Sequence, residues 1–371
     1  MKRVISLLVL FVFSFSLLTI NVKATEVTTS AMGTVLYCVD NNSVLYGKNE
    51  NVKMKMASTT KLMTALLTIE YAEKHNNPIV TFKKSMIEEG SSMYLKVNEK
   101  VTLKDLCVGM LLPSGNDAAT ASAIKIAGSK EKFAELMNKR AKQIGMENTN
   151  FVTPSGLDDD NHFSTPYDMA LLMKECSENK EFMKICGSKS MTVSFVSPKD
   201  KIVTYQNHNR LLSLYENCIG GKTGYTESAG RCLVTIAKKN AITLIAVTLG
   251  DKNDWKDHIN LYDYGFSKVK TKVFEEETLV QQLVGGVKDK TNIKLKEKVF
   301  ILNNKSDKIE RKIFLSPFAY CPIKKGDKAG VINYYRNGKL LEKNIIKYQE
   351  DIEYKETEKS FWDFIKELFN G

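Results

Sequence analysis

Apolar and polar positions divide the chain into four stretches. Val4 to Ile20 is almost wholly apolar and follows a basic Lys2-Arg3 pair. Val22-Lys23-Ala24 then offers small residues at the −3 and −1 positions of a cleavage site. This pattern predicts a secretory signal peptide over 1–24, cut after Ala24, with an uncleaved membrane anchor as the alternative. Gly33–Val39 and Ser43–Gly47 predict two strands around an Asp40-Asn41-Asn42 turn. Leu62, Met63, Leu66, Leu67 and Ile69 recur at spacings near 3 and 4, which predicts a helix buried along much of its length. Leu103 to Ile144 reads as mostly helical, broken at Leu112–Asn116. Pro113 and Gly115 end one helix there, and Asn116 or Ser114 can cap the next. Another helix is expected over Tyr167–Glu175. Strands follow at Met191–Val196, Ile202–Tyr205, Cys232–Ala237 and Ile242–Leu249, then an amphipathic helix at Trp255–Phe266. A helical block inserted between strands that pair across it predicts an α+β domain over 25–267.

From Lys268 the helical periodicity stops. Short β-rich runs recur at Lys298–Leu302, Ile309–Phe314, Gly330–Tyr335 and Leu340–Ile346, separated in part by Lys325-Gly326-Asp327 and Arg336-Asn337-Gly338. They predict a smaller all-β domain over 268–350. Residues 351–371 read as a linker and an amphipathic helix. Phe361, Trp362, Phe364, Ile365, Leu368 and Phe369 form one face; Asp363, Lys366, Glu367 and Asn370 form the other. Such a helix is too short to cross a bilayer and suits its interface, or docks on the protein itself. The net charge of Glu358–Gly371 is −1, so attachment of Phe361–Gly371 would rest on apolar insertion.

Composition narrows the class. The 371 residues are 43% hydrophobic and 26% charged, as in a globular protein. The net charge is +11; the first 24 residues carry three positive charges and no negative one, so the remainder carries +8. That favours anionic surroundings such as membranes or acidic polymers. No dense basic run with interleaved aromatics is present, which argues against nucleic acid. Seven scattered cysteines without a Cys-x-x-Cys pair argue against a disulfide framework and for small buried side chains. The four histidines lack metal-ligand spacing, and no metal or cofactor is expected.

The candidate chemistry lies at Met56-Ala57-Ser58-Thr59-Thr60-Lys61. Ser58 and Lys61 stand almost one helical turn apart, so both project from one face of the first turn. A serine hydroxyl becomes a nucleophile when a neighbouring base takes its proton. Lysine can be that base only with a lowered pKa, through desolvation or nearby positive charge. Ser-x-x-Lys also occurs at Ser129/Lys132, Ser177/Lys180 and Ser267/Lys270, so the pair alone is a weak signal. Two further runs strengthen it. Ser114-Gly115-Asn116 offers a hydroxyl to relay a proton and an amide to hold a peptide group. Gly221-Lys222-Thr223-Gly224, just ahead of the strand at Cys232, offers a carboxylate site and a close backbone approach.

In that order, Ser-x-x-Lys, Ser-x-Asn and Lys-Thr-Gly resemble the penicillin-recognising serine enzymes. The chain is similar to the type-5 low-molecular-mass penicillin-binding proteins, D-alanyl-D-alanine carboxypeptidases with a β-lactamase/transpeptidase-like domain. Gly90–Leu95, Thr153–Asp158, His162–Thr165, Tyr225–Leu233 and Pro322–Asp327 extend the likeness over nearly everything after Ala24. The resemblance implies a peptidoglycan stem peptide ending in D-Ala-D-Ala as substrate and β-lactams as inhibitors. It implies Ser58 as nucleophile, Lys61 as base, Ser114 as proton relay and Asn116 as an orienting group. Lys222 and Thr223 would hold the terminal carboxylate, with Gly224 beside them. The backbone N–H groups of Ser58 and Tyr225 would form an oxyanion hole. It also implies an extracytoplasmic place, on the outer face of the bacterial cytoplasmic membrane.

Rivals can be weighed on residues. A P-loop needs glycine where Glu216 stands. A Ser-His-Asp hydrolase lacks its Gly-x-Ser-x-Gly elbow, and His162 is expected to fix a loop by hydrogen bonds. A serine β-lactamase of the commonest class needs Glu-x-x-Leu-Asn; the single Leu-Asn pair, Leu302-Asn303, has Val299 in place of that glutamate. A silent wall-binding protein would not need the full nucleophile–base set. Transpeptidation differs only in the second acceptor.

Overall fold

The computed structural model describes residues 27–303 and 306–356, with Ile365, Leu368 and Phe369 as isolated positions. The segment 1–24, read as a signal peptide, lies outside the described residues, as does most of Phe361–Gly371. Among the described residues no helix is long and apolar enough to cross a membrane.

The chain opens with a hairpin, β1 (Gly33–Cys38) and β2 (Ser43–Lys48). A 3-10 turn at Ala57–Thr60 runs into α1 (Lys61–Lys74). The ribbon β3 (Ile79–Thr81) and β4 (Lys100–Thr102) precedes α2 (Leu103–Leu111), α3 (Asn116–Ala127) and α4 (Lys130–Ile144). Then come α5 (Pro166–Glu178), α6 (Lys180–Cys186), the ribbon β5 (Ser190–Ser194) and β6 (Ile202–Gln206), and the short α7 (Leu211–Leu214). The domain closes with β7 (Cys218–Thr226), β8 (Gly230–Lys239), β9 (Ile242–Asp251) and α8 (Asp254–Lys268).

The main sheet is antiparallel in the order β2-β1-β9-β8-β7. Its strands alternate between two cores. Val35, Val234, Ile236, Ile245 and Val247 face the helical cluster built around Leu62, Met63 and Leu66 of α1. Leu36, Cys38, Leu244 and Ala246 face Leu261 and Tyr262 of α8. Cover on both faces explains why β8 and β9 read as near-continuous apolar runs rather than as alternating ones. The α+β expectation holds, with helices inserted between strands that become neighbours.

The alternative Ser-x-x-Lys pairs have local explanations, and one further pair, Ser122/Lys125 within α3, joins a buried serine to an exposed lysine. Ser129 caps α4, its hydroxyl accepting from Lys132 N, after Gly128 ends α3 at φ +85°. The hydroxyls of Ser177 and Ser267 donate to the carbonyls of Lys174 and Tyr264.

The second domain is all β, as expected, but richer than its sequence suggested. β10 (Lys270–Phe274), β11 (Glu277–Val284), β12 (Lys290–Leu295) and β15 (Phe318–Tyr320) join β13 (Lys298–Leu302), β14 (Ile309–Leu315), β16 (Lys328–Arg336) and β17 (Lys339–Lys347). The added strands escaped notice because one face is polar: in β12 only Thr291, Ile293 and Leu295 point inward. Their core gathers Ile293, Phe300, Ile332, Tyr334 and Ile346. All seven cysteines are free thiols and six are buried.

Candidate active site

The site forms where the edge of the main sheet meets the start of α1. Ser58 lies in the 3-10 turn rather than in the helix itself, and Lys61 is the first residue of α1. Ala57, immediately before Ser58, has φ +48° and is buried, a left-handed backbone that a non-glycine residue seldom adopts. Room for this turn comes from Gly156, which has φ +84°. A Cβ there would stand 2.0 Å from the Ala57 carbonyl oxygen.

Lys61 is fully buried. Its Nζ lies 2.7 Å from Ser58 Oγ, 2.7 Å from Asn116 Oδ1 and 2.7 Å from the Ser155 carbonyl oxygen. The amide of Asn116 is oriented by its own Nδ2, which donates to the Glu89 carbonyl at 2.6 Å. Two of the three partners of Lys61 can therefore only accept. A neutral amine has two N–H groups for them and one lone pair, which then faces the Ser58 hydroxyl. Burial, helped by the positive charge of Lys222 and opposed by Asp117, holds the Lys61 amine well below the usual lysine range.

Ser114, in the break between α2 and α3, is buried with φ +66°. Its Oγ accepts from Lys222 Nζ at 3.0 Å, and Lys222 also donates to the Thr223 carbonyl at 2.8 Å. Lys222 is buried, and that burial pushes its pKa down to about 7. The run Gly221–Gly224 is a correction to the sequence reading. It lies ahead of the strand at Cys232, as read, but is itself part of a strand, β7, at the edge of the main sheet. The three glycines of β7, Gly220, Gly221 and Gly224, disguised it. Gly224 shows why one is needed: a Cβ would lie 2.9 Å from Ser58 N and 3.0 Å from Thr59 N. Strand β7 thus passes directly over the Ser58 amide. Tyr225 follows with an exposed side chain.

Ser58, Ser114, Thr223, Gly224 and Tyr225 line one open cleft of about 490 Å³. Asn116, Lys61 and Lys222 stand behind its wall through the bonds described above. Sequence reasoning missed the far end of the cleft, lined by Arg231, Asp254 and Trp255. Arg231 grips Asp254 with two bonds, Nε to Oδ2 at 3.1 Å and Nη2 to Oδ1 at 2.8 Å. It missed His208 as well, which lines the cleft and is held below the usual histidine range by burial and by Lys222. Arg231 falls in the Tyr225–Leu233 stretch of the likeness without a role read there, and no motif marks Asp254, Trp255 or His208, because α8 and the loop before α7 bring them in from separate places. Asp117 is a further buried support; its carboxylate accepts from Ser92 Oγ, Met93 N and Leu95 N.

His162 stands apart from the reacting groups. Val152 N and Thr153 N donate to its Nδ1 at 3.0 and 3.2 Å, so Nε2 carries the proton and donates to Thr60 Oγ1 at 2.8 Å. Burial pushes its pKa down to about 4, and it ties the loop to the Ser58 turn as a neutral ring.

The buried Lys222 gives a stability prediction. Its folded pKa is about 7, against about 10.4 unfolded. Between those values the unfolded chain binds more protons, so this group's penalty is full near pH 7 and vanishes as pH rises past 10. Lys222→Met should therefore gain stability relative to wild type at pH 7 and lose that relative gain by pH 10. Denaturant melts across this range test it; a difference that does not change with pH would place the native ammonium at its ordinary pKa.

The geometry brings the Ser58 and Ser114 hydroxyls into one cleft and sets the buried Lys61 and Lys222 amines directly behind them. Residues 20–253 match the family of D-alanyl-D-alanine carboxypeptidases. The chain belongs to this family. Residues 269–354 match the C-terminal domain of penicillin-binding protein 5. As a member of the D-alanyl-D-alanine carboxypeptidases, the chain is 32% identical to the carboxypeptidase DacF of Bacillus subtilis, covering 89% of this chain and 88% of that one. It is 33% identical to DacC of Escherichia coli, covering 88% and 85%. The structure of penicillin-binding protein 5 from Haemophilus influenzae superposes with a TM-score of 0.66 at 28% identity, over 89% of this chain and 99% of that one. The Streptomyces K15 DD-transpeptidase gives a TM-score of 0.62 at 30% identity, over 66% of this chain and 99% of that one.

Proposed function

We propose that this carboxypeptidase removes the terminal D-alanine of peptidoglycan stem peptides through an acyl-enzyme on Ser58. The observation that carries the reading is the fully buried Lys61 amine, 2.7 Å from Ser58 Oγ and held by two groups that only accept. Ser58 Oγ attacks the carbonyl carbon of the penultimate D-alanine while its proton passes to the lone pair of Lys61. The carbonyl oxygen becomes an oxyanion, received by the backbone N–H groups of Ser58 and Tyr225. Collapse breaks the C–N bond, and the departing amine takes this same proton from Lys61, relayed through Ser114 beside Lys222, which leaves Lys61 neutral again. Lys222 and Thr223 hold the terminal carboxylate, with Gly224 giving the close approach. Asn116 orients Lys61 and the substrate. Water then attacks the ester with Lys61 again accepting the proton, and Ser58 is regenerated.

A β-lactam ring opened by Ser58 keeps its leaving group tethered and stalls as the ester. Incubation with benzylpenicillin should thus add a single adduct in the intact mass, located by peptide mapping at Ser58. Rapid turnover of penicillin without a trapped adduct would instead indicate a β-lactamase. Transpeptidation is the second reading, favoured by likeness to the Streptomyces K15 DD-transpeptidase; an amine acceptor added to a pentapeptide assay would yield a joined product.

The place of action is also a proposal. The apolar run of 1–24 and the aromatic stripe of Phe361–Gly371 support an exported enzyme resting on the outer face of the bacterial cytoplasmic membrane. Deleting Phe361–Gly371 should move the protein from the membrane fraction to the soluble one with D-alanine release unchanged. Unaltered membrane retention would favour an uncleaved N-terminal anchor.

A further inference from the structure

Positive charge is concentrated in the β domain. Residues 269–354 contain eighteen lysines and arginines against twelve carboxylates. A groove of about 690 Å³ crosses this domain, lined by Lys294, Lys296, Lys298, Lys325 and Lys347 and by one carboxylate, Glu297. Lys298 pairs with Glu342 at 2.8 Å. Among the described residues the other four lysine side chains form no ion pair, although ten such pairs occur elsewhere in the chain or at Lys298.

Strand periodicity sets the pattern. In β12, Thr291, Ile293 and Leu295 point inward while Lys290, Asn292 and Lys294 point outward. In β17, Ile346 is buried while Lys343, Ile345 and Lys347 are exposed. On each strand the outward lysines are separated by one uncharged outward residue, Asn292 in β12 and Ile345 in β17, so they recur about every 14 Å. The groove floor is apolar, and Ile345 is 58% exposed within it. A row of unpaired ammonium groups along a concave apolar floor repels itself and gains from a chain of anions laid between its walls. A bilayer surface is flat and would meet only the rims. Lysine is a compact point charge with three donors, and it receives phosphate oxygens from any side. Four such groups around one groove suit an anion that carries charge at intervals along its length rather than a single small anion.

We propose that this groove of the β domain binds a linear phosphodiester polymer, separately from the catalytic cleft. Binding there would hold the enzyme beside anionic polymer while its cleft works on peptide ends.

The test uses the full chain and fluorescent long-chain inorganic polyphosphate as probe. Binding is expected, with affinity falling steeply with salt as counterions are exchanged. The combined variant Lys294→Gln, Lys296→Gln, Lys325→Gln and Lys347→Gln should weaken it by at least about tenfold, the loss of several phosphate contacts. D-alanine release from a soluble pentapeptide should stay at the wild-type rate, showing that the variant is folded. A control with Lys132, Lys142, Lys180 and Lys199 changed to Gln alters net charge equally and should keep wild-type affinity. Equal loss in the control would overturn the proposal in favour of diffuse charge. Equal affinity for poly-L-glutamate would overturn the phosphate assignment. Loss of binding to phosphatidylglycerol vesicles with polyphosphate binding intact would assign the groove to the membrane instead.

Discussion

Ser58→Ala should gain no mass with benzylpenicillin and should release D-alanine on the order of 10⁴–10⁶-fold more slowly than wild type. The replacement removes the only atom that can carry the acyl group in the proposed route. It leaves Lys222 and Thr223, so substrate should still bind. The fold should survive, because the lost hydroxyl makes one hydrogen bond, to Lys61, from a partly buried position. One such bond contributes about 0.5–1.5 kcal/mol. A melting curve close to wild type, together with the missing adduct, would separate lost chemistry from lost structure. An adduct that persists in the variant would remove Ser58 from its role.

Lys61→Met should slow acylation by about 10²–10⁴-fold or more, the range for a lost general base. Methionine keeps much of the buried stem but offers no lone pair to Ser58. Lys61→Arg is the sharper companion, since guanidinium stays charged and cannot accept a proton. Both variants disturb the same neighbours. In Lys61→Met, Asn116 Oδ1 and the Ser155 carbonyl each lose a donor. Each unmet acceptor costs about 1–3 kcal/mol, offset in part because an amine no longer has to be buried. Wild-type acylation should rise with pH as the lowered Lys61 pKa is passed and the neutral amine becomes the dominant form. The variants should lack that rising limb. Acylation followed by stopped flow across pH decides the matter, and Lys61→Arg reacting at the wild-type rate would require a different base.

Much of this was legible in the chain. The spacing of Leu62, Met63, Leu66 and Ile69 marked α1, and the run Leu112–Asn116 marked the break that carries Ser114. These features are local: a helix needs periodic apolar contacts, and a break needs proline, glycine and a cap. Strands with one polar face were harder. β11 and β12 carry few apolar residues, and β7 is glycine-rich because its backbone must approach another.

By itself the sequence determined which residues could do chemistry: five serine–lysine pairs, a Ser-x-Asn loop and a Lys-Thr-Gly run. The order of these motifs already pointed to the family. Tertiary structure decided which of these lysines is buried against its serine. At Ser129, Ser177 and Ser267 the hydroxyls serve a helix cap or a helix carbonyl. At Ser58 the sheet edge and helices enclose Lys61, and Lys222 arrives from β7 beside it. A lysine pKa falls when solvent is excluded or positive charge is near; at Lys61 both act, and both depend on elements distant in the chain.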